Sequence, residues 1–190
     1  MRARMALHVS KTPLEIREIV FRDKPTHMLE VSPKGTVPVL ILPDGRVLEE
    51  SLDILNWALK QNDPEAWNDV DMAQAQTLIQ QNDGDFKAAL DRYKYVNRFD
   101  DVDDPLIYRA QGEAFLQVLN TRLEQHKYLM SDKITRADIA IFPFIRQFAN
   151  VDYDWFSNLP YQPLQAWLND RTNSVLFQEI MQKHALWPAA

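Results

Sequence analysis

The 190-residue sequence contains no cysteine. This absence excludes disulfide bonds, thiolate nucleophiles, CxxC redox pairs and cysteine-ligated zinc or iron–sulfur centres from these residues. Glycine is also scarce, since only Gly35, Gly45, Gly84 and Gly112 occur. They lie too far apart to form a dinucleotide-binding fingerprint or a phosphate-binding loop. Several large classes of cofactor-dependent enzyme are therefore excluded.

Basic residues are in deficit, because 27 acidic against 21 basic residues give a formal net charge of -6. We expect no nucleic-acid or membrane partner, since either one needs a basic surface.

The histidines (His8, His27, His126 and His184) are scattered without an HExxH motif, so we predict no metal site. No apolar run approaches the ~18 residues of a membrane span, and residues 1–11 lack the apolar stretch of a secretory signal. A cytoplasmic location is expected.

The first sixty residues have a mixed pattern of helix and strand. Residues 1–9 are predicted to form a helix, and the alternating, β-branched segment Glu15–Phe21 is predicted to form a strand. Val37–Leu42 is predicted to be a short buried strand, although it contains a proline. Asp44-Gly45 indicates a hairpin turn. Ser51 is predicted to cap a helix that ends near residue 60. We expect a small α/β module over residues 1–60.

The remainder is predicted to be helical. Residues 61–69 are polar and contain a proline, which is typical of a linker, and residues 70–190 are expected to form an all-helical domain. Within it, Asp104-Pro105 is typical of an N-cap followed by a first-turn proline. Thr135 and Asp138 have the spacing of a capping box at the start of a buried helix. The apolar stripe of the first long helix is weakened near Gly84.

Two segments in this order resemble the cytosolic glutathione S-transferases, most closely the bacterial omega-like members. They are KGTVPVLILPDGRVLEES at residues 34–51 and ITRADIAIFPF at residues 134–144. The resemblance implies an α/β plus all-α fold, with a thioredoxin-like N-terminal module followed by the all-helical C-terminal domain of that family. It also implies glutathione as co-substrate, a small electrophile as second substrate, a homodimer, and glutathione conjugation or thiol transfer as the activity.

The resemblance also implies a set of glutathione-binding residues. The Val37–Pro38 peptide bond would be cis, which costs only about 0.5–1 kcal/mol before proline, and the Val37 backbone would pair with the ligand. Ser51, with the free amides of its helix N-terminus, would bind the γ-glutamyl carboxylate. Glu50 would bind the adjacent ammonium group, and Lys24 would neutralise the glycyl carboxylate.

In relatives, the region near the end of the first long helix of the helical domain faces the electrophile pocket. The residues of this sequence in that region are Tyr93, Tyr95 and Arg98. The alternative interpretation for these side chains is an ordinary role in the core or at the surface. The tryptophans (Trp57, Trp67, Trp155, Trp167 and Trp187) are interpreted as packing residues.

The omega-like relatives carry a strand and a Cys-Pro-x-x motif before an Arg-rich stretch, and residues 1–7 match that stretch. We therefore expect the thioredoxin-like module to be truncated, with its first strand and the nucleophile motif missing, and we assign no catalytic residue. Three interpretations stay open: an enzyme whose true start lies upstream, a natural short form that binds glutathione without catalysis, or a transferase-fold protein that regulates transcription by contacting polymerase. The five glutathione-site residues favour descent from, or identity with, an active enzyme. For the sequence as it stands, we expect weak glutathione binding and no thiol-transferase activity.

Overall fold

The structure is a computed structural model that describes residues 1–187. The chain forms two compact units. The first contains Met1–Glu65 together with the segment that begins at Val175, and the second contains Ala66–Ser174. The C-terminal segment thus belongs to the first unit, whereas the sequence-based division placed it in the helical domain.

Helices dominate the described residues. The α-helices are α1 (Arg2–Val9), α2 (Thr26–Val31), α3 (Ser51–Gln61), α4 (Met72–Gln81), α5 (Lys87–Lys94), α6 (Pro105–Leu123), α7 (Arg136–Ala149), α8 (Tyr153–Ser157), α9 (Gln162–Thr172) and α10 (Val175–Ile180). A π-helical turn spans Asn82–Phe86, a 3-10 turn spans Val96–Arg98, and the strands are β1 (Leu40–Ile41) and β2 (Val47–Leu48). None of the described helices has the length and apolar character needed to cross a membrane.

In the first unit, helix α1 packs between α3 and α10. Its apolar side chains are buried, as are those of Ile54, Leu55 and Ala58 on α3. The two helices therefore share the core of this unit. That core fixes where α3 begins, and α3 carries two of the predicted glutathione-binding residues at its N-terminal end.

Strands β1 and β2 form an antiparallel hairpin in which Leu40 lies opposite Leu48. Gly45 adopts a φ of +86° in the turn, a conformation that favours glycine because it has no Cβ. Its N–H donates to the Leu42 carbonyl at 2.9 Å. The Asp44 carboxylate accepts the backbone N–H of Arg46 at 3.1 Å. The predicted Asp-Gly hairpin is confirmed, with strands shorter than expected.

The predicted strand at Glu15–Phe21 is wrong. In the described residues this segment forms only isolated bridges, one from Glu18 to Leu186 and one from Val20 to Asp23. A strand needs a neighbouring backbone that pairs with it over several residues, and β1 pairs only with β2. Alternation of side chains alone therefore does not establish a strand.

In the second unit, the first long helix is interrupted at the predicted position. Gly84 has φ -90° and ψ -107°, outside the helical region, within the π-helical turn between α4 and α5. Such turns are commonly single-turn insertions in α-helices. The weakening expected near Gly84 is confirmed.

Helix α7 is the buried centre of the second unit and begins at the predicted capping box. The Asp138 Oδ2 accepts the Thr135 N–H and its hydroxyl, each at 2.9 Å. Its Oδ1 accepts the Leu129 N–H at 3.0 Å and the Trp167 indole N–H at 2.9 Å. The helix continues through the buried Pro143 to Ala149. Thr135 and Asp138 therefore organise the helical core, as predicted.

Candidate functional site

The Val37–Pro38 peptide bond is cis, as the resemblance implied. Val37 is 46% exposed. Among the described residues, the backbone N–H and C=O of Val37 have no hydrogen-bond partner. A backbone donor and acceptor at the surface are thus available to a peptide-like ligand.

Lys24 lies beside the loop that leads into this turn. Its Nζ is 3.3 Å from the position that a Cβ would take on Gly35, which has a φ of +59°. In the described part of the chain, Lys24 forms no ion pair. The ammonium is therefore available to an anionic group near residues 34–38.

Glu50 contacts the same loop. Its Oε1 forms an exposed ion pair with the Nζ of Lys34. The hydrogen bond to Glu50 raises the pKa of the Lys34 ammonium. Sequence reasoning missed Lys34, because the two residues are 16 positions apart and no local pattern links them.

Ser32 and Glu49 hold the base of the loop together. Ser32 is fully buried, and its hydroxyl donates to the Glu49 Oε1 at 2.6 Å. A charge-assisted hydrogen bond of this length is among the stronger ones in proteins. This pair, which the sequence did not indicate, links the segment before Val37 to the residue that precedes Glu50.

Helix α3 begins one residue earlier than predicted. Glu50 occupies the N-cap position and Ser51 is the first helical residue, so the prediction that Ser51 caps the helix is wrong. The first intrahelical bond runs from the Ile54 N–H to the Glu50 carbonyl at 3.1 Å. The three preceding amides of α3 have no partner within the helix, and they form a positive end suited to a carboxylate.

Lys24, Glu50 and the Val37–Pro38 turn therefore lie around one loop, residues 34–38, with Ser51 next to Glu50 at the start of α3. The positive groups are Lys24, Lys34 and the helix end, and the negative groups are Glu50 and Glu49. A ligand with two carboxylates, one ammonium and a peptide backbone has complementary charges.

The residues predicted for the electrophile pocket lie in the second unit. Tyr93 is buried, with its ring centroid 5.1 Å from that of Phe148. Burial raises the pKa of Tyr93, and a hydrogen bond with Arg109 opposes that change. Tyr95 is half-buried, and the guanidinium of Arg98 lies 4.0 Å from its ring centroid. Tyr95 and Arg98 are in contact, whereas Tyr93 packs in the aromatic core.

Within residues 1–187, no group of three or more histidine, aspartate or glutamate side chains is arranged to hold a metal ion.

Two family models match the chain. One, described as the N-terminal domain of glutathione S-transferase, matches residues 1–67. The other, described as the C-terminal domain of glutathione S-transferase, matches residues 87–170. The chain belongs to the glutathione S-transferase family. The predicted fold class is confirmed: a thioredoxin-like N-terminal domain with a small antiparallel sheet, and a helical C-terminal domain.

A comparison with curated proteins found no match. Solved structures of glutathione S-transferases are similar to the chain at low identity. Glutathione S-transferase-I bound with lactoylglutathione is 22% identical with a TM-score of 0.74, and the match covers 94% of this chain and 91% of that one. BphK, a bacterial glutathione S-transferase, is 21% identical with a TM-score of 0.75, and the match covers 95% of this chain and 92% of BphK. Poplar glutathione transferase F1 is 18% identical with a TM-score of 0.77, and the match covers 95% of this chain and 90% of the poplar protein. These likenesses show the fold.

Proposed function

We propose that the protein binds glutathione around residues 34–38 and at the N-terminus of α3. The Val37 backbone pairs with the ligand's peptide group, and Pro38 holds the turn in shape. The γ-glutamyl carboxylate binds Ser51 and the first-turn amides of α3, while its ammonium binds Glu50. Lys24 binds the glycyl carboxylate.

The observation that carries this proposal is the unpaired Val37 backbone at a cis-proline turn. Extended peptide ligands gain affinity from main-chain hydrogen bonds to such open groups. The free amides of α3 and the unpaired Lys24 add two anion-binding positions beside it. The three features match the backbone and the two carboxylates of one tripeptide.

We further propose that the activity is conjugation, in which the thiol proton passes to solvent, the glutathione sulfur bonds to an electrophilic carbon, and the leaving group on that carbon departs with its bonding electrons. These residues include no cysteine, so they cannot form the mixed disulfide of cysteine-dependent thiol transfer. The same observation favours one alternative, a glutathione-binding or protein-interaction role without catalysis, because no described side chain is assigned to activate the thiol.

The family resemblance supports the remaining parts of the proposal. Tyr93, Tyr95 and Arg98 are proposed for the electrophile side, in a cytoplasmic homodimer of the bacterial omega-like type. Substitution of Arg98 by alanine should then raise the KM for an electrophile while leaving glutathione affinity unchanged.

Calorimetric titration with glutathione tests the site. Ser51→Ala should weaken binding by about tenfold to a hundredfold, since a hydrogen bond to a charged group contributes roughly 1.5–3 kcal/mol. Ser157→Ala is the matched control, because its hydroxyl donates only to the Asp154 carbonyl in the second unit. Equal heats for the wild type and Ser51→Ala would overturn the site.

Turnover with a chlorodinitrobenzene, followed by absorbance, then separates the two functions. Conjugation by the wild type, reduced in Ser51→Ala, supports the transferase. Glutathione binding without turnover supports the non-catalytic alternative.

A further inference from the structure

Two cations lie close to Tyr95 along the chain, at the end of helix α5. Lys94 is the last residue of α5, and the 3-10 turn Val96–Arg98 follows Tyr95 directly. The Arg98 N–H donates to the Tyr95 carbonyl at 2.8 Å, and the Tyr95 N–H donates to the Asp91 carbonyl at 2.8 Å. Hydrogen bonds of the backbone therefore hold both cations next to one aromatic residue.

Both cations contact the Tyr95 ring. The Lys94 Nζ lies 4.8 Å from the ring centroid, and the Arg98 Cζ lies 4.0 Å from it. Lys94 and Arg98 are exposed, whereas Tyr95 is half-buried. Attraction to a ring does not use the hydrogen-bond donors of an ammonium or a guanidinium, so both groups can still donate to an anion.

No acidic side chain forms an ion pair with either cation among the residues that the structure describes. Several nearby acids have other partners. Asp91 pairs with Lys87, and Asp101 pairs with Arg92 at 3.5 Å. Asp104 accepts a backbone N–H at the start of α6.

Two further acids, Asp100 and Asp103, follow the 3-10 turn. Both are exposed, and neither forms an ion pair in the described part of the chain. Charges in this position are screened by water and salt. They leave the donors of Lys94 and Arg98 unoccupied.

A second tyrosine with two cations shows the contrasting, neutralised arrangement. The Lys127 Nζ lies 5.3 Å and the Arg171 Cζ 5.1 Å from the ring centroid of Tyr128. There, Asp170 accepts two hydrogen bonds from the Arg171 guanidinium, at 3.0 and 2.6 Å. The cations at Tyr95 have no counter-ion of this kind, so they are the better site for an anionic ligand.

We propose that the electrophile carries a carboxylate, which binds the Arg98 guanidinium and the Lys94 ammonium beside Tyr95. This inference rests on the proposed conjugation, with Tyr95 and Arg98 on the electrophile side. A planar guanidinium can donate two parallel hydrogen bonds to a carboxylate, and Lys94 adds a second positive charge. The whole chain has a net charge of -6, so its general field disfavours an anion, and a preference for one has to come from local cations.

The test compares two electrophiles that differ by one carboxylate. They are the chlorodinitrobenzene with both nitro groups beside the chlorine, and the benzoate with the same groups and a carboxylate opposite the chlorine. In both reactions the thiol proton passes to solvent, the glutathione sulfur bonds to the carbon that carries chlorine, and chloride leaves with the bonding electrons. The measured quantity is the ratio of kcat/KM for the benzoate to kcat/KM for the neutral compound, in which effects on glutathione binding cancel.

Arg98→Gln should lower this ratio at least fivefold and Lys94→Gln at least threefold, because each removes one positive charge from the carboxylate. Arg98→Lys keeps the charge and should lower the ratio less than Arg98→Gln. Lys127→Gln is the matched control, since it also removes a cation that lies over a tyrosine ring, and its ratio should stay within twofold of wild type. A ratio unchanged in Arg98→Gln would overturn the proposal, and so would an equal fall in Lys127→Gln.

A binding measurement separates failure of this inference from failure of the proposed conjugation. Equilibrium dialysis with glutathione present uses dinitrobenzoate and dinitrobenzene, which lack the chlorine. The benzoate should bind the wild type at least threefold more tightly than the neutral compound, and Arg98→Gln should abolish that preference. Absence of turnover with both chloro compounds would contradict conjugation, whereas the preference and its loss in Arg98→Gln would still support the carboxylate site. Equal binding of the two compounds to the wild type would overturn the carboxylate site whether or not conjugation occurs.

Discussion

The indole Nε1 of Trp167 donates a hydrogen bond to the Oδ1 of Asp138 at 2.9 Å, 29 residues away along the chain. The Asp138 carboxylate is fully buried and accepts four hydrogen bonds in all, two on each oxygen. One side chain thus joins the start of α7, the preceding loop and helix α9. Its contribution to stability should exceed that of an ordinary cap.

Asp138→Asn should lower the free energy of unfolding by about 2–4 kcal/mol, because an amide nitrogen would face two of the four donors. Urea unfolding at pH 7 measures this, with an unchanged m-value showing that the native fold is kept. Asp154→Asn, on the exposed first turn of α8, is the matched control and should cost less than about 0.5 kcal/mol. Equal midpoints for the two variants would contradict this account of Asp138.

Gly112→Ala should destabilise the second unit. A Cβ at this position would lie 2.4 Å from the Cε2 of Phe148, which is fully buried. The Phe148 ring also lies about 5 Å from the rings of Phe86 and Tyr93, so it has little room to move. Overpacking of this kind costs roughly 1–3 kcal/mol.

The control for Gly112→Ala is a double-mutant cycle with Phe148→Leu. The smaller side chain should relieve the clash. The double variant should therefore lose about 1 kcal/mol less in free energy of unfolding than the two single variants lose together. If the two losses of stability are strictly additive in urea unfolding, the cost of Gly112→Ala does not come from a clash with Phe148.

Local signals in the sequence were enough to predict several elements. The Asp104 carboxylate accepts the Leu106 N–H at 2.8 Å at the start of α6, and the Thr135 capping box starts α7. The hairpin at Gly45 and the weak point at Gly84 also followed from residue type alone. In each case the interacting groups lie within a few positions, so composition and spacing determine the geometry.

Other features depended on residues distant in sequence and could not be predicted. Glu15–Phe21 has the alternation of a strand, but whether a ladder forms depends on a neighbouring backbone. The Lys34–Glu50 and Ser32–Glu49 pairs join a loop to the residues before α3. Alternation and capping patterns carry no information about such partners. The glutathione-site residues came from the family resemblance, and the structure supplied their neighbours.

Stability should fall at acid pH through Asp71, the N-cap of α4. Backbone and side-chain hydrogen bonds from Gln74 and Ala73 hold the pKa of Asp71 below its ordinary value of 3.8. Because the folded-state pKa is the lower one, this stabilisation is present above about pH 3.8 and is lost as the pH falls through the folded value.

Asp71→Ala should therefore have a lower Tm than wild type at pH 6, and the difference should shrink between pH 4 and pH 2. Asp71→Ser keeps a capping oxygen that does not titrate, so its Tm difference from Asp71→Ala should stay constant over that range. A wild-type advantage over Asp71→Ala that persists unchanged at pH 2 would rule out the carboxylate as the cause.

Glu50→Gln should weaken glutathione binding by about fivefold to twentyfold, because it removes the negative charge proposed to bind the ligand ammonium. Asp53→Asn is the matched control, since it removes one charge from the first turn of the same helix and should change affinity less than twofold.

The Glu50 carboxylate is exposed and already paired with Lys34, so its contribution should decrease as ionic strength rises. Calorimetric titrations at about 0.05 M and 0.5 M salt measure both effects. An equal loss of affinity in Glu50→Gln and Asp53→Asn would indicate that any negative charge near the N-terminus of α3 has the same effect. That result would remove Glu50 from the proposed site.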